Sequence, residues 1–241
     1  MILSAAHITK SFGDQVVLDN LSLSINEFET LSILGRSGSG KTTLLKTLAG
    51  IHKQDEGEVL LDGQNIHDIA AHERNIVYLY QEALLFPHLN VYENVAFGLK
   101  LRRINDNEVK ERTLQMLHSL ELGGMDQKMP HELSGGQKQR VSFGRALIIN
   151  PKVLLLDEPF GSLDVGTRGN MQQLFKVVSE QYNITALFVT HDLKEAIVMG
   201  NRIGLMEHGK LNIYESIEAF INDANTGVTQ EIDFWNSLRH K

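Results

Sequence analysis

The residues best suited to chemistry lie in one short stretch, Gly35-Arg36-Ser37-Gly38-Ser39-Gly40-Lys41-Thr42-Thr43. Gly35, Gly40, Lys41 and Thr42 meet the phosphate-loop spacing G-x-x-x-x-G-K-[ST]. Backbone N–H groups converge on an anion only where no Cβ intrudes and unusual φ is tolerated, and the start of a following helix adds positive dipole. Lys41 then reaches the β- and γ-phosphates of a nucleoside triphosphate. The Thr42 hydroxyl coordinates the Mg²⁺ that bridges them. The bland reading of the same residues is a Gly/Ser-rich surface turn followed by a lysine.

Further groups of the right type recur downstream. Asp157 and Glu158 end the apolar run Val153-Leu154-Leu155-Leu156, where Asp157 can hold Mg²⁺ through its water shell and Glu158 can take a proton from an attacking water. A solvated strand end is the plain alternative. Ser134-Gly135-Gly136-Gln137 offers a hydroxyl, two Cβ-free amides and a helix start, either a second anion site or an N-cap only. Gln81 is a neutral amide that either holds Mg²⁺ or the attacking water, or caps a strand. His191 can bond a γ-phosphate and align the water with Glu158, or be a structural strand-end histidine. Phe12 can stack on adenine or belong to the core.

These groups need elements to place them. Ile2 to Ile25 alternates loosely around a turn at Phe12-Gly13-Asp14 and predicts an antiparallel β element. Glu29–Leu34 reads as a buried strand and Thr42–Ala49 as an apolar-striped helix, the context a phosphate loop requires. Gly57–Gly63 suggests a hairpin, and Asn75–Tyr80 a buried strand closed by Gln81. From Leu84 to Asn150 helical periodicity dominates, with helices expected over Val91–Leu101, Asn107–Leu120 and Ser134–Ile149. β structure returns at Val153–Glu158 and Thr185–Thr190, with a helix through Tyr182 between them. Arg202–Glu207 and Lys210–Tyr214 close as a hairpin. Val228, Ile232, Trp235 and Leu238 share one face of a short terminal helix, expected to pack on the protein's own body.

Composition bounds the class. The 241 residues are 42% hydrophobic and 22% charged, which suits one large domain or one plus a subdomain. A net charge of -7 without a long basic run argues against a nucleic-acid partner. The chain has no cysteine, which excludes disulfides and thiolate metal sites and agrees with a reducing cytoplasm. No signal-peptide pattern opens it, and its apolar runs fall far short of the ~20 residues of a bilayer span. A membrane role therefore requires a partner chain.

Taken together, the segments up to about residue 222 resemble the nucleotide-binding subunit of ATP-binding-cassette transporters. Gly35–Thr42 looks like the Walker A loop, Gln81 the Q-loop, Leu133–Gln137 the signature motif, Val153–Glu158 the Walker B strand with its catalytic glutamate, Ser162–Asp164 the D-loop and His191 the H-loop. They occur in the family's order. Phe12 falls where the family has an adenine-stacking aromatic, commonly tyrosine, and Val17 where an apolar residue flanks the base. The resemblance implies an α/β fold: a P-loop NTPase (RecA-like) core with an antiparallel β subdomain over 1–83 and 151–223, an inserted α-helical subdomain over 84–150, and a tail over 224–241. It also implies ATP and Mg²⁺ as cofactors, with Thr42, Gln81 and Asp157 holding the metal and Glu158, His191, Gln81 and Lys41 serving hydrolysis.

The family further implies a working unit of two copies, head to tail. ATP sits between Gly35–Thr43 of one copy and Ser134–Gln137 of the other, with Asp164 at the same interface. Transmembrane permease subunits receive the motion through the groove around Gln81 to Asn94, and a solute-binding protein delivers the cargo. The expected place is the inner face of the cell membrane. Glu158–Asp164 and Leu85–Val91 look most like importers of anions, metals, polyamines, sugars or sulfonates, many of which carry an added C-terminal regulatory domain for which this sequence is too short. A soluble cassette ATPase acting on a protein assembly, such as iron–sulfur scaffold machinery, and an exporter subunit are the alternatives.

Overall fold

A computed structural model describes residues 1–230. Along the chain come β1 (Leu3–Phe12), β2 (Gln15–Ile25), β3 (Thr30–Leu34), α1 (Lys41–Leu48), β4 (Glu56–Leu61), β5 (Gln64–Asn65) and β6 (Ile76–Leu79). Next are α2 (Val91–Leu101), α3 (Asp106–Ser119), α4 (Gly135–Leu147), β7 (Val153–Asp157) and α5 (Val165–Gln181). β8 (Ala186–Thr190), α6 (Leu193–Met199), β9 (Arg202–Glu207), β10 (Lys210–Tyr214) and α7 (Ile217–Asn222) follow. The chain divides into two compact units, Met1–Arg74 with the segment from Thr185 onward, and Asn75–Ile184. β6 and β7 thus group with the helices.

In the first unit, β1 and β2 pair antiparallel from Leu3↔Ile25 to Phe12↔Gln15, around the turn at Gly13-Asp14. β4 joins the other edge of β1, and β5 pairs with β4, giving the order β2-β1-β4-β5. The alternation read in the sequence becomes a half-buried ladder in which Leu3, Ile8, Leu18 and Ile25 face the core. A second set of strands in this unit runs β10-β9-β3-β8. β3 lies parallel to both β8 and β9, and β10 returns antiparallel on β9. Thr30, Leu31, Ser32 and Ile33 are all buried, as a parallel strand covered on both faces requires. Ile203 of β9, Phe220 of α7 and Val228 form a small core of their own. The terminal apolar face expected at Ile232, Trp235 and Leu238 lies outside the described residues.

In the second unit, β6 and β7 pair parallel with Tyr78 opposite Leu155. Val153, Leu154, Leu155 and Leu156 are fully buried. Phe143 of α4, Phe160 and Phe175 of α5 form an aromatic cluster, with ring centroids between 5.2 and 6.4 Å apart. α2 starts where Asn90 and Glu93 close a capping box. The buried Asn94 one turn later donates to the Leu89 carbonyl at 2.8 Å and accepts from the Phe86 amide at 2.9 Å. That single amide sets the course of the loop before the helix. Two strands are shorter than expected from sequence: β6 ends at Leu79, so Gln81 lies two residues beyond it, and β7 ends at Asp157, so Glu158 has left the strand.

Candidate active site

The first unit carries the phosphate loop, strung between β3 and α1. Its amide at Gly35 donates to the Thr190 carbonyl at 3.3 Å, and the Ser39 carbonyl accepts from Gly209 at 3.2 Å. The loop is therefore pinned to the end of β8 and to the β9–β10 turn. Gly40, with φ 109°, precedes α1 without any side-chain cap, so the first amides of the helix keep no side-chain partner from their own N-cap. A Cβ at Gly40 would stand 2.8 Å from the Val17 carbonyl oxygen, so the loop packs on β2 as closely as only glycine permits. Lys41 is buried, and its ammonium donates to the carbonyls of Gly35 at 2.6 Å and Arg36 at 3.0 Å. It thus lies across the loop.

Two further features fit an anion there. The Ser39 hydroxyl is buried without a hydrogen-bond partner. Arg36, Ser37, Gly38 and Thr42 are exposed on the same loop, while Thr43 is half-buried. An uncapped helix start, a buried ammonium and an orphaned hydroxyl form a cradle suited to phosphate oxygens. His191 directly follows Thr190, whose carbonyl holds Gly35, so the loop and the histidine share one anchored strand end.

Phe12 stands at the end of β1 and is 48% exposed, in contrast to a core phenylalanine. His52 meets its ring edge-on at 5.4 Å, and the Lys10 ammonium lies 5.4 Å from its centroid. Burial, then the charges of Lys46 and Lys10, lower the His52 pKa and favour the neutral imidazole. Val17, half-buried on β2, connects this hairpin to Gly40.

The second unit carries the carboxylates. Asp157 ends β7, and the Tyr78 phenol of β6 donates to its Oδ2 at 2.6 Å. Burial and then Asp157 itself push the phenol far above its ordinary pKa, so Tyr78 remains a donor. Glu158 takes φ 45°, a left-handed conformation costing a non-glycine residue roughly 1–3 kcal/mol. Its carbonyl accepts from Gly161 at 3.0 Å. A Cβ on Gly161 would come 3.1 Å from Gln81 Nε2, so the Gln81 amide lies against the turn that follows Glu158. The structure thus brings Gln81, Asp157 and Glu158 into one neighbourhood.

The same unit holds the helix start at Ser134. Its hydroxyl accepts from the Gln137 amide at 3.3 Å while the Gln137 side chain accepts from the Ser134 amide at 2.9 Å, a full capping box. Ser134 and Gly135 are exposed, and a Cβ on the buried Gly136 would reach 2.6 Å from the Thr167 methyl. Asp164 caps α5, accepting from the Thr167 amide at 3.0 Å. Hydrogen bonds from the Thr167 side chain and amide hold its exposed carboxyl below the usual range.

A hydroxyl, an amide and a carboxylate at Thr42, Gln81 and Asp157 are hard oxygen donors of the kind Mg²⁺ takes. Among the described residues no three His, Asp or Glu side chains cluster as a cage. Oxygen donors of this kind, Thr42 on the first unit and Gln81 and Asp157 on the second, suit a cation that arrives with phosphates and keeps several waters. Sequence reasoning passed over Tyr78, which sits inside an apolar run and reads as core.

The chain belongs to the ABC transporter family, whose model matches residues 18–161. The fold is accordingly the mixed α/β P-loop NTPase fold. The spermidine/putrescine import ATP-binding protein PotA of Aggregatibacter actinomycetemcomitans is 44% identical over 210 residues, 87% of this chain and 56% of that protein. The protein of the same name from Acetivibrio thermocellus is 42% identical over 231 residues, 92% of this chain and 66% of its own length. That of Vibrio cholerae is 40% identical over 244 residues, covering 96% and 65%. The chain thus spans less than two thirds of the length of these relatives. No helix among the described residues is long and apolar enough to cross a membrane.

Proposed function

We propose that this chain is the ATP-hydrolysing subunit that powers solute import across a membrane through a separate permease. The observation that carries the reading is the phosphate loop itself: an uncapped helix start at Gly40, the buried Lys41 across the loop, and the buried Ser39 hydroxyl without a partner. The names of the relatives, which are import ATP-binding proteins, support the direction. Polyamines, named for those relatives, are the first cargo to test.

In this account the Gly35–Gly40 amides and Lys41 bind the β- and γ-phosphates, with Thr43 behind them, and Phe12 stacks on adenine beside Val17. Glu158 accepts a proton as water attacks the γ-phosphorus. The bond from that phosphorus to the bridging oxygen breaks, and ADP leaves with phosphate. Gln81 and His191 align the water and sense the γ-phosphate. When bound, Mg²⁺ would neutralise phosphate charge, held by Thr42 and Gln81 and, through its water shell, by Asp157. Ser134–Gln137 and Asp164 of a second copy complete the site, so ATP shuts a head-to-tail dimer and hydrolysis releases it. The chain works at the inner face of the membrane, where transmembrane permease subunits, served by a solute-binding protein, convert that motion into transport.

The test is purification from detergent-solubilised membranes of the native host. A multi-span membrane protein should copurify, and ATPase activity should respond to transported solute, because coupling is reciprocal. Consistent absence of such a protein from the extracts, with activity in the soluble fraction alone, would contradict the proposal.

A further inference from the structure

The β6–β7 register makes Tyr78 a neighbour of the carboxylate end of the central strand. Tyr78 pairs with Leu155, and in parallel strands paired residues share a face, so Asp157 lies on that face one pleat further on. The diagonal is within reach of a tyrosine and too long for a side chain of small size. The phenol spans it, with Oη 2.6 Å from Asp157 Oδ2, a short charge-assisted hydrogen bond. Tyr80, two residues on, meets the Tyr78 ring edge-on at 4.5 Å and keeps it from swinging out.

We propose that Tyr78 is a positioning residue for the divalent-cation carboxylate of the nucleotide site. A hydrogen bond to one oxygen fixes the rotation of the carboxylate, and with it the direction in which lone pairs are offered to the cation or its water shell. This inference rests on the reading of Asp157 as the residue that helps hold the cation. It gives Tyr78 no contact with substrate.

A double-mutant cycle tests it in the full chain, in a Glu158→Gln background so that ATP is bound without turnover. Mn²⁺ binding in the presence of ATP is measured by electron paramagnetic resonance, and ATP binding with chelator present serves as the metal-free reference. Tyr78→Phe should weaken Mn²⁺ binding about tenfold, the usual effect of removing an outer partner of a metal ligand. Metal-free ATP binding should stay unchanged. Added to Asp157→Ala, Tyr78→Phe should change Mn²⁺ affinity less than twofold, because the carboxylate it orients is gone. An effect of Tyr78→Phe below twofold in the parent, or its full loss repeated on top of Asp157→Ala, would overturn the proposal. If Asp157→Ala itself leaves Mn²⁺ affinity intact, the reading of Asp157 fails, and the role of Tyr78 fails with it. Should Tyr78→Phe not fold, 3-fluorotyrosine placed at 78 keeps the side chain. Mn²⁺ with ATP should broaden its fluorine resonance, and an unbroadened signal at saturation would overturn the proposal.

Discussion

The Lys41 ammonium lies 2.6 Å from the Gly35 carbonyl oxygen, at the opposite end of the phosphate loop. The lysine thus both closes the loop and carries its charge. Replacing it by Ala removes a charge-assisted hydrogen-bond donor worth about 1.5–3 kcal/mol, or about 10–150-fold in affinity. ATP binding by Lys41→Ala, followed by calorimetry, should weaken by at least about tenfold. Lys41→Arg should not restore it, since a planar guanidinium cannot replace a point charge between two loop carbonyls. Retained affinity in either variant would place the phosphates elsewhere.

Arg74 predicts a large structural effect. Its buried guanidinium donates to the carbonyls of Thr47 and Leu48 at the end of α1, at 3.4 and 3.1 Å, and to those of Ile69 and His67 at 2.9 and 3.3 Å. It pairs with the Leu48 carbonyl, shares that of Thr47 with the Gly50 amide, and meets the negative end of the helix dipole. Burial lowers its pKa, which shows that the charge is held at a desolvation cost. Arg74→Ala takes the guanidinium from these carbonyls and leaves that of Leu48, at the buried end of α1, without this donor, a loss of about 3 kcal/mol and a Tm lower by roughly 6–12 °C. Scanning calorimetry checks this, and a change below 2 °C on that scale would contradict it.

Asp55 predicts a pH dependence. It accepts from the Lys10 ammonium at 2.7 Å and the Ser11 amide at 2.6 Å, beside Phe12. The Lys10 hydrogen bond first, then that of Ser11, holds its pKa below the ordinary 3.8. A depressed carboxylate contributes stability above its unfolded pKa and loses it as pH falls through the lower folded value. Asp55→Asn should therefore be less stable than wild type at pH 7, with the difference shrinking below pH 3.8. Urea unfolding across that range measures it, and a gap that widened in acid would contradict the assignment.

Much of the frame was legible in the sequence because local chemistry and pattern agreed. Val91–Leu101 has a helical apolar period, and the helix spans those residues. Arg202–Glu207 and Lys210–Tyr214 flank His208-Gly209, both at positive φ, and form the hairpin. Ser134 caps α4 as its spacing to Gln137 suggests. Long-range polar contacts were not legible. Arg74 joins the C-terminal turn of α1 to the loop before β6, and Tyr78 reaches a carboxylate 79 positions on, pairings that no local period encodes. α6 and α7 have seven and six residues, too few turns for a clear stripe.

Ser134 separates a cap from a second anion site. Ser134→Arg removes the capping hydroxyl at a cost of about 1 kcal/mol. ATP affinity of the isolated chain should stay near wild type while steady-state hydrolysis stops, because the arginine blocks the γ-phosphate site offered to the other copy. Wild-type turnover in this variant would reduce Ser134 to its cap.

The central claim is that one ATP is clasped by two copies of this chain. Glu158→Gln keeps the binding groups and removes the proton acceptor, so Mg²⁺ and ATP should convert it from monomer to dimer in sedimentation velocity, reversed when the nucleotide is removed. A variant that binds ATP yet sediments only as a monomer at concentrations well above its ATP dissociation constant would contradict the account.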